Sequence, residues 1–262
     1  MITVGIDIGS VNIKAVVLKE NQILSRLVVA SGNDAKTATQ KALGQVLLMA
    51  NLTSQDIKNV GFTASVSESL SFVSEKRVTH ILSTVKGVKQ IIPSAEIIMD
   101  IGAETIRLIK VDQRGRVLDF ITNDKCASGT GYFFEIISRI LNIPLDMLGE
   151  VFLNASDTVP VTSTCVVFAE SEIISLIHRG VPIPSIVAGI FEATSSRIAG
   201  MLNRMRAREA VVAIGGVAKN RQLMDLVQTR TGVKIIVPSE PDIISALGAA
   251  LVARERITSG EK

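Results

Sequence analysis

Two cysteines are the residues of this chain whose type and position most favour metal or redox chemistry. Cys126 precedes a glycine-rich turn, Gly129-Thr130-Gly131, and an amphipathic helix pattern over 132–141. Cys165 directly precedes a second helix-like segment, 166–178. A helix N-terminus stabilises a thiolate or an anionic cluster through its unpaired N–H groups and its dipole. The two helices could therefore face one negatively charged object, and a two-fold dimer would supply four thiolates to it.

The composition is that of a folded protein without a nucleic-acid or membrane partner. The 262 residues are 47% hydrophobic and 20% charged, and a net charge of +3 is too small to indicate nucleic acid. No apolar run reaches membrane-spanning length, and the first residues resemble a strand rather than a signal peptide. We therefore expect a cytoplasmic protein. A disulfide is disfavoured in that compartment, which leaves metal binding, redox chemistry or plain burial for the two cysteines.

The predicted elements repeat once along the chain, which indicates an α/β protein made of two related halves. The first copy has strands at 2–8, 13–18, 22–29 and 60–63 and helices at 34–50 and 78–92. The second copy has strands at 96–100, 106–111, 117–121, 210–214 and 234–237 and helices at 219–231 and 243–256. We predict halves at 1–94 and 95–262, and a helical insertion at about 123–209 that carries both cysteines.

Each copy begins with a strand that ends in an acidic, glycine-containing turn. These turns are Asp7-Ile8-Gly9-Ser10 and Asp100-Ile101-Gly102-Ala103. Lys14 and Arg107 follow the two aspartates by the same seven positions. Successive N–H groups in such turns bind anions, and paired carboxylates suit water-mediated Mg²⁺ binding and orientation of an attacking water. The alternatives are aspartates that only cap turns and basic residues that only pair with them.

A third strand–glycine–helix turn, Gly215-Gly216, offers a surface without side chains against which a ribose or adenine could lie. Asp7 and Asp100 are the predicted catalytic residues. The predicted ATP-binding residues are Gly9, Ser10, Val11, Lys14, Gly102, Ala103, Glu104, Gly129, Gly131, Gly215, Gly216 and Lys219. The two histidines, His80 and His178, have no metal-ligand spacing and are predicted to be ordinary surface or core residues.

These motifs resemble the acetate and sugar kinase, heat-shock chaperone and actin superfamily in its duplicated ribonuclease H-like form. Within it, the segments 123–131 and 163–172 and Gly215-Gly216-Val217-Ala218 are similar to the ATP-dependent iron–sulfur activators of 2-hydroxyacyl-CoA dehydratases. Related proteins serve benzoyl-CoA reductases. The resemblance spans nearly the whole chain and implies an actin-like ATPase fold with ATP in a cleft between the halves.

The resemblance also implies a homodimer in which Cys126 and Cys165 of both subunits hold one [4Fe–4S] cluster. Its expected activity is ATP-driven transfer of a low-potential electron from a ferredoxin or flavodoxin to a partner iron–sulfur enzyme. A solvent-accessible interface cluster would be oxygen-sensitive, so we expect an anaerobic, Mg²⁺-dependent activator.

Some positions depart from the family pattern. The family usually has Gly-Gly-Gln-Asp where this chain has Gly102-Ala103-Glu104-Thr105. Such departures favour a divergent branch, and a double-cubane iron–sulfur protein is then an alternative partner to a dehydratase. Two other functions remain open from the sequence, a small-molecule kinase of the same fold without a cluster and a nucleotide-dependent filament or scaffold protein.

Overall fold

The structure is a computed structural model that describes residues 1–64, 76–123, 130–161 and 166–259. The strands are β1 (Ile2–Ile8), β2 (Asn12–Lys19), β3 (Gln22–Ala30), β4 (Asn59–Ala64), β5 (Lys76–Arg77), β6 (Ile97–Ile101), β7 (Ile106–Val111), β8 (Val117–Thr122), β9 (Val211–Ile214) and β10 (Ile235–Ile236). The helices are α1 (Ala35–Met49), α2 (His80–Ile91), α3 (Gly131–Leu141), α4 (Leu148–Leu153), α5 (Val166–His178), α6 (Ile183–Arg204), α7 (Arg221–Thr231) and α8 (Ile244–Ser259). Among these described helices, none combines the length and the apolarity that crossing a lipid bilayer requires.

The two sheets have the same strand order. The first runs β3-β2-β1-β4-β5 and the second, written from its other edge, runs β8-β7-β6-β9-β10. In each sheet the strand that ends in the acidic turn is central, with an antiparallel neighbour on one side and a parallel neighbour on the other. The predicted α/β duplication is therefore present in the topology.

The chain forms two compact units. The first contains Met1–Ala95, Val111–Arg116 and Ser239–Lys262, and the second contains Glu96–Lys110 and Val117–Pro238. The predicted halves, 1–94 and 95–262, differ from these units mainly in α8, which follows the second copy in sequence but packs on the first sheet. The predicted boundary thus marks the repeat in the sequence, whereas the contacts mark the packed units.

The two faces of the first sheet pack against different helices, because successive side chains of β1 and β4 point to opposite faces. Val4, Ile6 and Ile8 join a core with α1, whose buried residues include Val46 and Leu47. The opposite face lies against α8 at very short distance, because β1 and β4 present glycines there. A Cβ atom on Gly5 would lie 1.9 Å from the Ala246 carbonyl oxygen, and one on Gly61 would lie 2.2 Å from that of Ala249.

The second sheet packs against several helices, among them α3 and α5, the helices that follow Cys126 and Cys165. All five residues of β6 are buried. A single hydrophobic core joins this strand to residues of α3, α5, α6 and α7. Phe134 of α3 meets Phe191 of α6 edge to face, with ring centroids 5.7 Å apart. This packing fixes α3 relative to the strand that ends in Asp100.

Candidate functional site

The turn after β1 is a tight loop that requires glycine. The Gly9 N–H donates to the Asn12 carbonyl at 3.0 Å, and the Ser31 hydroxyl donates to the Gly9 carbonyl at 2.7 Å. A Cβ atom at position 9 would lie 2.8 Å from the Asn12 carbonyl oxygen and 3.0 Å from the Lys14 Nζ. Any larger residue there would push the turn away from the end of β1.

The turn after β6 has the same hydrogen bond as its counterpart. The Gly102 N–H donates to the Thr105 carbonyl at 2.9 Å. Because this bond occupies the glycine N–H in both turns, neither Gly9 nor Gly102 has its N–H available as an anion donor. The N–H groups of the next two residues donate no hydrogen bond within the described part of the chain, and they are the available anion donors. These residues are Ser10, Val11, Ala103 and Glu104.

Unlike its N–H groups, the carbonyl groups of the second turn have hydrogen-bond partners within the protein. The Gly102 carbonyl accepts from the Gly131 N–H, and the Ala103 carbonyl accepts from the Tyr132 N–H, both at 2.9 Å. These donors are the first two N–H groups of α3, which have no partner inside their own helix. The predicted phosphate turn therefore caps the helix that follows Cys126.

The third predicted turn also lies at the end of β6. Gly215 has a φ of +91°, and a Cβ atom there would lie 2.3 Å from the Ile101 carbonyl oxygen and 3.1 Å from Asp100 Oδ1. Only glycine fits this approach. Gly216 has no atom within 4 Å of an added Cβ, so it keeps the bare surface expected for a ribose or adenine contact. Lys219 is exposed on the same segment.

Both predicted catalytic carboxylates are buried and pair with the cation of the neighbouring strand. Lys14 Nζ lies 3.0 Å from Asp7 Oδ2, and Arg107 Nη1 lies 3.5 Å from Asp100 Oδ2. The antiparallel register places each cation directly opposite its carboxylate. Lys14 thus neutralises the charge of the Asp7 carboxylate, which is a role that the sequence left open beside phosphate binding.

Two residues near Asp7 were not among the predicted site residues. His80 begins α2 and places its Nε2 3.7 Å from Asp7 Oδ1. Thr63 stands next to Asp7 in the parallel register of β1 and β4, and its buried hydroxyl has no hydrogen-bond partner within the described residues. The strand-end position of Thr63 was a usable signal. His80 was predicted to be an ordinary surface or core residue, because it lies in a distant segment and has no metal-ligand spacing.

Both predicted metal ligands, Cys126 and Cys165, lie outside the described residues, as does Gly129. Within the described ranges, no three or more His, Cys, Asp or Glu side chains are grouped so that they could hold a metal ion. The helices that follow the cysteines are described, and they contact each other. Phe133 and Ile137 of α3 share one buried cluster with Ala169 and Ile173 of α5.

Known proteins resemble this chain over its whole length. It is 36% identical over 255 residues to the activator of lactoyl-CoA dehydratase of Anaerotignum propionicum, an alignment that covers 97% of this chain and 98% of that protein. It is 32% identical over 255 residues to the (R)-2-hydroxyglutaryl-CoA dehydratase activating ATPase of Acidaminococcus fermentans, with 97% of each chain covered. The solved activator of the 2-hydroxyisocaproyl-CoA dehydratase from Clostridium difficile with bound ADPNP matches with a TM-score of 0.92 and 34% identity, covering 100% of this chain and 97% of that one.

The sequence pattern of one family extends across both units of the molecule. It is described as the BadF/BadG/BcrA/BcrD ATPase family and matches residues 4–253. Together with the solved structure, this match confirms the predicted duplicated, actin-like ATPase fold and the resemblance that the motifs indicated. The chain belongs to the BadF/BadG/BcrA/BcrD ATPase family.

Proposed function

We propose that this protein is an ATP-dependent activator that delivers low-potential electrons to a partner iron–sulfur enzyme. The observation that carries the proposal is the pair of 2.9 Å hydrogen bonds from Gly131 and Tyr132 to the carbonyls of Gly102 and Ala103. A peptide unit cannot rotate its N–H side toward a phosphate without also moving its carbonyl side. Nucleotide binding at this turn therefore acts on the start of α3, the helix that follows Cys126.

ATP binding is supported by the geometry of each turn. The N–H groups of Ser10, Val11, Ala103 and Glu104 supply phosphate donors, and Gly215 and Gly216 supply the flat contact for adenosine, with Lys219 beside them. Gly9 leaves no room for a side chain in the first turn, and a Cβ atom on Gly131 would lie 3.3 Å from the Ala103 Cα in the second. The solved relative from Clostridium difficile has ADPNP, an ATP analogue, bound, which supports the same ligand here.

The residues at the end of β1 suit a hydrated Mg²⁺. Mg²⁺ prefers oxygen ligands and keeps several of its waters. Asp7 offers a buried carboxylate, and the neighbouring Thr63 hydroxyl is buried without a partner among the described residues. A water of the Mg²⁺ shell would satisfy that hydroxyl. In this proposal Asp7 and Asp100 organise the metal-bound and attacking waters for ATP hydrolysis.

A homodimer would complete the proposed redox site. One chain offers two thiolates, Cys126 and Cys165, and a [4Fe–4S] cluster takes four. The helices that follow them already lie together within one unit.

The proposed reaction couples the transfer of one electron to the hydrolysis of ATP. Held by Cys126 and Cys165 of both subunits, a [4Fe–4S] cluster would supply one-electron transfer from a ferredoxin or flavodoxin to the partner, while ATP and water become ADP and phosphate. Hydrogen bonds, charge and exposure set the potential of such a cluster, so movement of α3 would change the driving force. The acceptor is a 2-hydroxyacyl-CoA dehydratase-like enzyme, or alternatively a double-cubane cluster protein, in the cytoplasm.

Two substitutions test the proposal by separating nucleotide chemistry from iron binding. Asp7→Asn is expected to lower kcat for ATP hydrolysis by roughly 100-fold or more while the anaerobic protein keeps its iron. Cys126→Ser is expected to lose iron and to keep MgATP binding. Asp146→Asn, at an exposed position, serves as the control. Wild-type hydrolysis by the Asp7 variant, or full iron content in the Cys126 variant, would refute the proposal.

A further inference from the structure

A series of polar side chains, which becomes fully buried at Thr84, leads from Asp7 into the interior of the first unit. His80 Nε2 faces Asp7 Oδ1 at 3.7 Å, and His80 Nδ1 lies 3.3 Å from the Thr84 hydroxyl. The Thr84 hydroxyl in turn lies 3.0 Å from that of Ser245, near the start of α8. Thr84 is fully buried and Ser245 is 6% exposed. These contacts join β1, α2 and α8 through side chains alone.

Because the Asp7 carboxylate can only accept hydrogen bonds, it fixes which atom donates and which accepts at each contact from His80 to Ser245. A neutral imidazole carries one proton, and a proton on Nδ1 alone would turn the Nε2 lone pair toward the negative Asp7 oxygen. A proton on Nε2 instead faces the carboxylate and leaves Nδ1 to accept from Thr84. The Thr84 hydroxyl can then accept from Ser245, so that every described polar atom in this series has a compatible role.

Each oxygen of the Asp7 carboxylate thereby faces a nitrogen of a neighbouring side chain. Lys14 Nζ is 3.0 Å from Oδ2, on the neighbouring strand, while His80 faces Oδ1 from the first residue of α2. The α2 backbone at this point is itself fixed, because the Thr79 hydroxyl caps the helix by accepting from the Leu82 N–H. Rotation of the Asp7 carboxylate is restricted from two directions.

We propose that His80 is a positioning residue, which acts through Asp7 and is itself oriented by Thr84 and Ser245. The inference rests on the proposed function in so far as Asp7 organises the metal-bound water for ATP hydrolysis. His80 has no direct contact with nucleotide in this account. It keeps the Asp7 carboxylate in one plane, and outer partners of this kind change the activity of metal-organising groups by roughly 10- to 100-fold.

The tautomer of His80 can be observed without nucleotide, because the chain has only two histidines. Long-range ¹H–¹⁵N spectra of the nucleotide-free protein, assigned with the exposed His178→Ala variant, are expected to show a proton on Nε2 of His80. Thr84→Val is expected to weaken this preference, whereas Thr84→Ser keeps the hydroxyl and should preserve it. A His80 ring protonated on Nδ1 alone would overturn the proposal.

Steady-state hydrolysis of MgATP supplies the second readout. His80→Ala is expected to lower kcat by roughly 10- to 100-fold with little change in KM. His80→Gln, whose amide nitrogen reaches the position of Nε2, should recover most of the rate, and His178→Ala should match wild type. A His80→Ala protein with the wild-type kcat, or a Gln variant no faster than the Ala variant, would overturn the role. A wild type without ATPase activity would instead refute the proposed function and leave the tautomer result standing.

Discussion

At the residue scale, two aspartates at equivalent strand ends each face a cation from the next strand. This contact could be predicted from the sequence spacing, because a tight antiparallel hairpin pairs residues at equal distances from its turn. The observed registers, Asp7 opposite Lys14 and Asp100 opposite Arg107, follow that rule. The approach of His80 to Asp7 could not be predicted, since it depends on where α2 docks against the sheet and no local pattern encodes that.

Glu135, on the helix that follows Cys126, makes a pH-dependent contribution to stability. Burial raises the pKa of its carboxyl above the usual 4.5, and the nearby Arg139 offsets this only in part. A carboxyl whose pKa is raised in the folded state binds its proton more tightly there, so stability falls as the pH rises through and above 4.5. Glu135→Gln is therefore expected to be more stable than wild type at pH 7.

Urea unfolding at a series of pH values, from the usual carboxyl range up to neutrality, would measure this difference. The advantage of the Gln variant should shrink as the pH falls toward 4.5 and vanish below it, because the wild-type side chain is then protonated in both states. An advantage of equal size at both ends of the range would show that packing, and not ionisation, is responsible.

At the element scale, the helices with clear start signals could be predicted closely. The segment 166–178 coincides with α5, and Asp34 caps α1 as expected by accepting from the Thr37 N–H at 3.0 Å. The helix predicted at 78–92 begins later, at His80, because Thr79 takes the cap position. β5 was not predicted, and α4 was given no bounds within the predicted helical insertion, since a strand of two residues and a helix of six are too short to show a period.

The contact between α2 and α8 depends on glycine in both helices. A Cβ atom on Gly248 would lie 1.7 Å from the Ser83 carbonyl oxygen, and one on Gly87 would lie 2.1 Å from that of Ile244. Gly248→Ala is expected to lower the free energy of unfolding by about 3 kcal/mol or more, because backbone must move to admit the methyl group. Equilibrium denaturation would measure the loss.

Gly44→Ala is the matched control, since it changes a glycine in the interior of α1 that has no atom within 4 Å of an added Cβ. This substitution is expected to raise the free energy of unfolding by about 0.5–1 kcal/mol through helix propensity. If both substitutions raised the free energy of unfolding, α8 would not approach α2 as closely as described.

At the scale of the whole molecule, the repeat could be predicted, but the packing of α8 on the first sheet could not. Each copy carries its own hairpin, acidic turn and later parallel strand, and those signals are local. The apolar residues of α8 indicate burial without specifying the sheet against which they pack. Its docking becomes visible only through the small residues at Gly5, Gly61 and Gly87, which admit a helix backbone at close range.

The candidate site likewise has some features that could be predicted from local sequence and others that depend on packing. The two phosphate turns and the Gly215-Gly216 turn could be predicted, because each is a strand end with its own glycine signature. The capping of α3 by Gly102 and Ala103 could not, since those hydrogen bonds join segments whose proximity depends on the packing of the second unit. This link between the turn and the helix after Cys126 is the structural basis of the proposed ATP-dependent activation.

The most direct test of that activation is an anaerobic measurement of iron, sulfide and the reduced EPR spectrum, with and without MgATP. We expect about four irons and four sulfides per dimer, lost in both Cys126→Ser and Cys165→Ser, and a reduced signal that changes when MgATP binds. A protein that binds ATP but contains no iron under strictly anaerobic handling would rule out activation through a cluster and would favour a small-molecule kinase of the same fold.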